Sequence, residues 1–178
     1  MTIIAVDPGK NGGIAWCATH KHPREIHSIK MPGTRRDTID AFKDIVFRDA
    51  DAASDCICYH EKVGSYIPGG GASNMFEFGR NVERCGCIVE TLGIRLIEIA
   101  PKAWQKELGL GSSGRVSEAK ATTPEGKKAA RAHNTAAKRD WKNKLKGEAQ
   151  RRHPGAKVTL LNADALLILD AAIKLENV

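Results

Sequence analysis

The sequence predicts an α/β fold, a mixed five-stranded sheet flanked by helices. Three observations carry that expectation. The amino-terminal part of the 178-residue chain holds apolar runs of strand length separated by Gly- and Pro-containing turns. Segments with helical spacing then alternate with further strand patterns. The carboxy-terminal third reads as helix and ends in an apolar helical stretch.

Ile3–Asp7 and Gly13–Thr19 read as two strands joined by a glycine turn, a hairpin. Arg24–Lys30 reads as a more polar edge strand, and Met31-Pro32-Gly33 breaks the chain. Thr38–Ala50 has helical spacing, with Ile39, Phe42, Ile45 and Val46 on one stripe. Ser54–Glu61 alternates Cys56, Cys58 and His60 with Ile57, Tyr59 and Glu61, as a strand does. A glycine-rich loop, 64–71, follows. Ser73–Leu92 reads as a second helix, with Met75, Phe78, Val82 and Val89 among its apolar positions and Gly93 as its C-cap. Arg95–Ile99 is a short strand, and Pro101 opens a short helix to Leu108. Gly109–Thr123 reads as a mobile Gly/Ser loop. Pro124–Arg152 is a long basic helical stretch with an expected break near His133-Asn134, stopped by Pro154-Gly155. The last helix runs from Ala163 to Glu176, with Asn162 as a natural N-cap. Residues 1–178 are expected to form one domain, since the length suits a single core and no linker interrupts it.

Composition narrows the function classes. The chain opens on a strand with no basic leader, and its longest apolar run, Ala165–Leu169, is far too short to span a bilayer. An intracellular protein with no membrane partner is expected, cellular or phage-encoded. Cys56-Ile-Cys58 and Cys85-Gly-Cys87 invite a zinc reading, but structural zinc sites space their cysteines more widely. Buried, reduced thiols are the expectation instead. Net charge is +7, unevenly placed: residues 101–157 carry 15 of the 28 Lys and Arg but only 5 of the 21 Asp and Glu. Basic charge gathered in one segment suits a polyphosphate partner.

Three acids occupy matching settings. Asp7 ends the first strand, before Pro8-Gly9 and Gly12-Gly13. Glu61 ends the fourth strand. Asp164 lies in the first turn of the last helix, flanked by Ala163 and Ala165, which let that helix approach the sheet. If the first and fourth strands are neighbours, the three carboxylates converge. Two divalent ions about 4 Å apart need such a cluster, one to activate water and one to stabilise the leaving oxygen.

These residues resemble the RuvC-like Holliday junction resolvases, of the RNase H-like superfamily, in their phage and organellar branch. Four blocks carry the likeness, in family order: Ile4-Ala5-Val6-Asp7-Pro8-Gly9 with its following glycines; Tyr59-His60-Glu61; the segment 99–110 with Pro101, Trp104, Gln105, Lys106 and Leu108; and Ala163-Asp164-Ala165-Leu166-Leu167-Ile168. The resemblance implies an RNase H-like fold, a homodimer and magnesium-dependent cleavage of four-way DNA junctions, with manganese as a possible substitute. By carry-over, Asp7, Glu61 and Asp164 are the catalytic residues and metal ligands. The sequence departs at the family's fourth ligand, an acid or histidine shortly before the helical acid. Here that stretch is Val158-Thr159-Leu160-Leu161-Asn162. Asn162 is the weak substitute at hand; Asp170 and His153 are poorer ones.

Phosphate contacts are expected from the basic segment: Lys102, Lys106, Arg115, Lys120, Lys127, Lys128, Lys138, Arg139, Lys142 and Lys144. Tyr66 is a candidate for stacking on an unpaired base. Trp104 reads as core. Two alternatives stay open: an RNase H-like nuclease acting on RNA–DNA hybrids or other branched DNA, and a catalytically weak nucleic-acid-binding module that keeps the fold.

Overall fold

The computed structural model describes residues 1–20, 23–64, 71–117 and 122–178. Five strands form one sheet: β1 (Thr2–Asp7), β2 (Gly13–Ala18), β3 (His27–Lys30), β4 (Cys56–Glu61) and β5 (Arg95–Ile99). Their spatial order is β3-β2-β1-β4-β5. The hairpin strands pair antiparallel, with Ile4 opposite Trp16, and β3 continues antiparallel on β2. On the other side β1, β4 and β5 run parallel, with Val6 in register with His60. The helices are α1 (Arg35–Asp49), α2 (Ala72–Thr91), α3 (Pro101–Glu107), α4 (Pro124–Arg152) and α5 (Ala163–Leu175). The mixed sheet flanked by helices is the architecture that the sequence predicts.

Alternation along the strands divides the core into two layers. Ile4, Val6, Ile14, Cys56 and Cys58 face α1 and α2, where Phe42, Ile45, Cys85, Ile88 and Val89 cover them. Ile3, Ala5, Ala15, Ile57 and Tyr59 face α5, whose buried Leu166, Leu167, Ile168 and Leu169 form the centre of the other layer. Trp104 of α3 and Leu145 and Ala149 of α4 complete that layer from outside. Helix α5 is apolar almost all round because it lies between the sheet on one side and α3 and α4 on the other.

Local signals explain where the elements begin and end. Helix α1 starts at Arg35, earlier than its apolar stripe suggests, because the Thr34 hydroxyl accepts from the Asp37 N–H at 3.1 Å. Helix α2 ends in a Schellman turn: Gly93, at φ +76°, donates to Glu90, and Ile94 donates to Val89. The edge strand is shorter than predicted, since its ladder ends at the Trp16–His27 pair, whose rings stack 5.3 Å apart.

Helix α4 is continuous, contrary to the break expected near His133-Asn134. Asparagine disfavours helices when its side chain competes for nearby backbone groups. Here the Asn134 side chain instead bonds both ways to the backbone of Val116, at 2.9 and 3.0 Å, which ties the preceding loop to the helix. Asn162 takes the N-cap position of α5 as expected, but not through its side chain. Its backbone is already helical and its side chain makes no capping bond. The cysteines are free, four buried and Cys87 exposed, and burial raises the thiols of Cys17, Cys56 and Cys85 to about 11. No helix among the described residues is long and apolar enough to cross a membrane.

Gly13 couples the hairpin to the start of α5. A Cβ there would stand 2.6 Å from the Ile29 carbonyl oxygen and 2.8 Å from that of Leu161, both rigid backbone atoms. Gly13→Ala should therefore lower stability by about 1–3 kcal/mol, read as a reduced urea midpoint with an unchanged slope.

Candidate active site

The adjacency of β1 and β4 brings Asp7 and Glu61 side by side at the carboxyl ends of two parallel strands. Both follow the face that carries Ile3, Ala5, Ile57 and Tyr59, so both point to the α5 layer. Asp164, in the first turn of α5, is buried there. The charge of Asp164 bears on Asp7 and Glu61, and the charges of Asp7 and Asp164 both bear on Glu61. The three acids singled out in the sequence thus form one electrostatic cluster.

Each acid has a separate support. Asp7 accepts weakly from the Gly9 N–H at 3.4 Å. Behind it, a Cβ on Gly12 would fall 2.7 Å from the Asp7 carboxyl carbon, so the turn has room only for glycine. Glu61 Oε1 accepts from Trp104 Nε1 at 2.9 Å. Trp104 is core, as expected, at 1% exposure, but its indole N–H gives it a second role at the site. The short link from β5 through Ala100 to Pro101, the first residue of α3, sets the ring beside Glu61. Asp164 Oδ2 takes an ion pair from Lys142 Nζ, which reaches in from α4. Asp164 Oδ1 is buried with no hydrogen-bond partner.

Burial is the main reason the Glu61 carboxyl is pushed up to about 7; the charges of Asp7 and Asp164 push the same way, while the Trp104 hydrogen bond and Lys142 oppose. Asp7 is also raised, by burial first and then by Asp164, against the pull of Lys142 and the Gly9 N–H. For Lys142, burial acts to lower its pKa, but Asp164, Asp7 and Glu61 together outweigh it and raise it.

The substitutes for a fourth ligand are otherwise engaged. Asn162 Oδ1 accepts from the N–H and hydroxyl of Thr159, at 2.7 and 3.0 Å. Its Nδ2 donates to Ser28 Oγ and the Lys157 carbonyl. Asn162 is therefore a clasp between the turn before α5 and the edge strand, with no amide oxygen to spare for a metal. His153 Nε2 lies 3.1 Å from Asp170 Oδ1, and Arg152 also faces Asp170, so these two candidates pair with each other. Among the described residues, no group of three or more His, Cys, Asp or Glu side chains is gathered closely enough to hold a metal ion. The donor chemistry nevertheless suits magnesium: hard carboxylate oxygens, one of them buried and unpartnered.

The basic residues divide. Lys102, Lys106, Arg115, Lys127, Lys128, Lys138 and Arg139 are exposed, Arg139 beside Asp140 at 3.1 Å. Lys142 belongs to the acidic cluster rather than to that outer surface. Lys144 is exposed, but its ammonium donates to the Leu110 carbonyl at 2.8 Å and lies over the Trp141 ring. Tyr66 and Lys120 fall outside the described residues.

The fold is a mixed five-stranded α/β sheet flanked by helices, with acids at the ends of two neighbouring central strands. Among solved structures, the chain is similar to RuvC of Thermus thermophilus. The match has a TM-score of 0.54 at 13% identity and covers 99% of this chain and 96% of that one. No protein-family model and no curated protein matches the sequence.

In metal-free buffer the folded chain keeps the Glu61 proton up to about pH 7, while the unfolded chain releases it near 4.5. The folded state binds more protons between those values, so stability should fall as pH rises through that window. Glu61→Gln should flatten this slope, as read from urea midpoints across the range. Trp104→Phe removes the hydrogen bond that favours the ionised carboxylate, so the Glu61 titration followed by carboxyl-carbon NMR should move above its wild-type position.

Proposed function

We propose that this protein is a magnesium-dependent endodeoxyribonuclease that resolves four-way DNA junctions as a homodimer. The observation that carries the reading is the meeting of Asp7, Glu61 and Asp164 where β1, β4 and α5 converge, in a fold shared with a RuvC. Asp7 and Glu61 are the metal-holding carboxylates, and Asp164 adds its buried oxygen. The ion, when bound, supplies Lewis acidity at the scissile phosphate. Trp104 fixes the orientation of Glu61, and the Gly12 turn fixes that of Asp7. The desolvation that raises both carboxyls also favours their neutralisation by a divalent cation.

The exposed cations of α3, of the following loop and of α4 as far as its middle bind phosphates: Lys102, Lys106, Arg115, Lys127, Lys128, Lys138 and Arg139. Such contacts position a duplex without reading its sequence, and a dimer doubles them for a substrate with four arms. A second reading, a junction-binding module with weak or no cleavage, is favoured by the missing fourth ligand and by the Lys142–Asp164 ion pair.

The deciding experiment is incubation of a labelled synthetic four-way junction and a matched linear duplex, each with and without magnesium. Paired symmetric nicks on the junction alone, only with metal, are the expected result. Binding without nicks would favour the second reading. Asp7→Asn should abolish cleavage while leaving junction affinity within about twofold, because it removes a ligand charge but little volume. Junction affinity should also fall log-linearly with salt, by about 0.9 per phosphate contacted.

A further inference from the structure

We infer that Lys142 is the resident second cation of the carboxylate cluster, so that the cluster accepts one divalent ion rather than two. The inference rests on the reading of Asp7, Glu61 and Asp164 as metal-holding residues. It concerns what this chain has done about its missing fourth ligand.

The ligand inventory supports one ion. Lys142 Nζ occupies Asp164 Oδ2, and Trp104 Nε1 occupies Glu61 Oε1. Gly9 N–H leans on Asp7 Oδ1. Among the described residues this leaves one uncommitted oxygen on each acid: Asp7 Oδ2, Glu61 Oε2 and Asp164 Oδ1, the last buried without a partner. Magnesium takes one or two carboxylates and completes its octahedron with water and substrate oxygens, so these suffice for one ion. A second ion has no ligand set. The stretch 158–162 holds no acid or histidine, the Asn162 oxygen is taken by Thr159, and His153 and Asp170 face each other.

Charge leads to the same count. Three carboxylates crowded out of water repel one another. Lys142 supplies one positive charge and a single divalent ion supplies two, which brings the cluster to neutrality. A second ion would leave excess positive charge beside an ammonium held at close range. The lysine stands on α4, the helix whose other half carries much of the exposed basic surface. The tethered charge and the proposed phosphate contacts are therefore parts of one rigid element.

The test counts Mn2+ bound to the full-length chain, without DNA, by isothermal titration and by the electron paramagnetic resonance signal of free Mn2+. The wild type should bind one ion. Lys142→Gln, checked for folding by circular dichroism, should bind its single ion about tenfold more tightly, because the competing ammonium is gone, and Lys142→Arg should behave as wild type. Two ions in the wild type, none in the wild type, or a Gln variant identical to it would each overturn the assignment. A wild-type count of two or of none overturns the inference even if the Gln variant does not fold. Because no DNA is present, the outcomes separate: one bound ion without junction cleavage sinks the nuclease reading alone, and junction cleavage with two bound ions sinks this inference alone.

Discussion

Negative charges held together away from water repel, and a fold that keeps Asp7, Glu61 and Asp164 in one place must offset that repulsion everywhere around them. The supports come from different parts of the chain. The hairpin turn offers a backbone N–H, α3 an indole N–H and α4 an ammonium. Each is delivered by an element that also packs the layer around α5, so the electrostatics of the site and the packing of that layer are one problem. Loss of packing at Trp104 or Leu145 would displace a compensating charge or dipole, and the carboxylates would then carry their mutual repulsion without relief.

The strands were legible because their residues obey a simple alternation and end on turn formers. Asp7 and Glu61 could be paired from sequence once each was seen to close an apolar run. The two-layer core followed from the same alternation, which sent Cys56 and Cys58 to one face and Ile57 and Tyr59 to the other. Boundaries shifted where a single side chain decided them, as Thr34 did for α1.

Other features depend on contacts far apart in sequence, and local pattern does not encode them. Lys142 is one cation among many on α4, and nothing in its spacing separates it from Lys138 or Lys144; only the packing of α4 on α5 sends it to Asp164. Asn134 and Asn162 carry the local signals of a helix break and a helix cap. Both instead bond to distant or preceding groups, Asn134 to the Val116 backbone and Asn162 to Thr159, the Lys157 carbonyl and the Ser28 hydroxyl. Trp104 was legible as core, while its bond to Glu61 needed the β5–α3 link to be seen in space. A signal did exist: a tryptophan one turn after Pro101, directly behind the strand beside Glu61, is well placed to aim its N–H at that strand's end.

The indole of Trp104 gives the protein an internal optical reporter. Its ring is sealed in the core while its N–H touches the carboxylate most affected by its surroundings. Indole emission responds to the field along the ring, so protonation, cation binding or loss of a neighbouring charge at the cluster would register as a change in wavelength or intensity. Trp16 bonds Asp49 and Trp141 lies under Lys144, and replacing both with phenylalanine would isolate the signal. The occupancy of the carboxylate cluster would then be followed in real time by light alone, with no label attached.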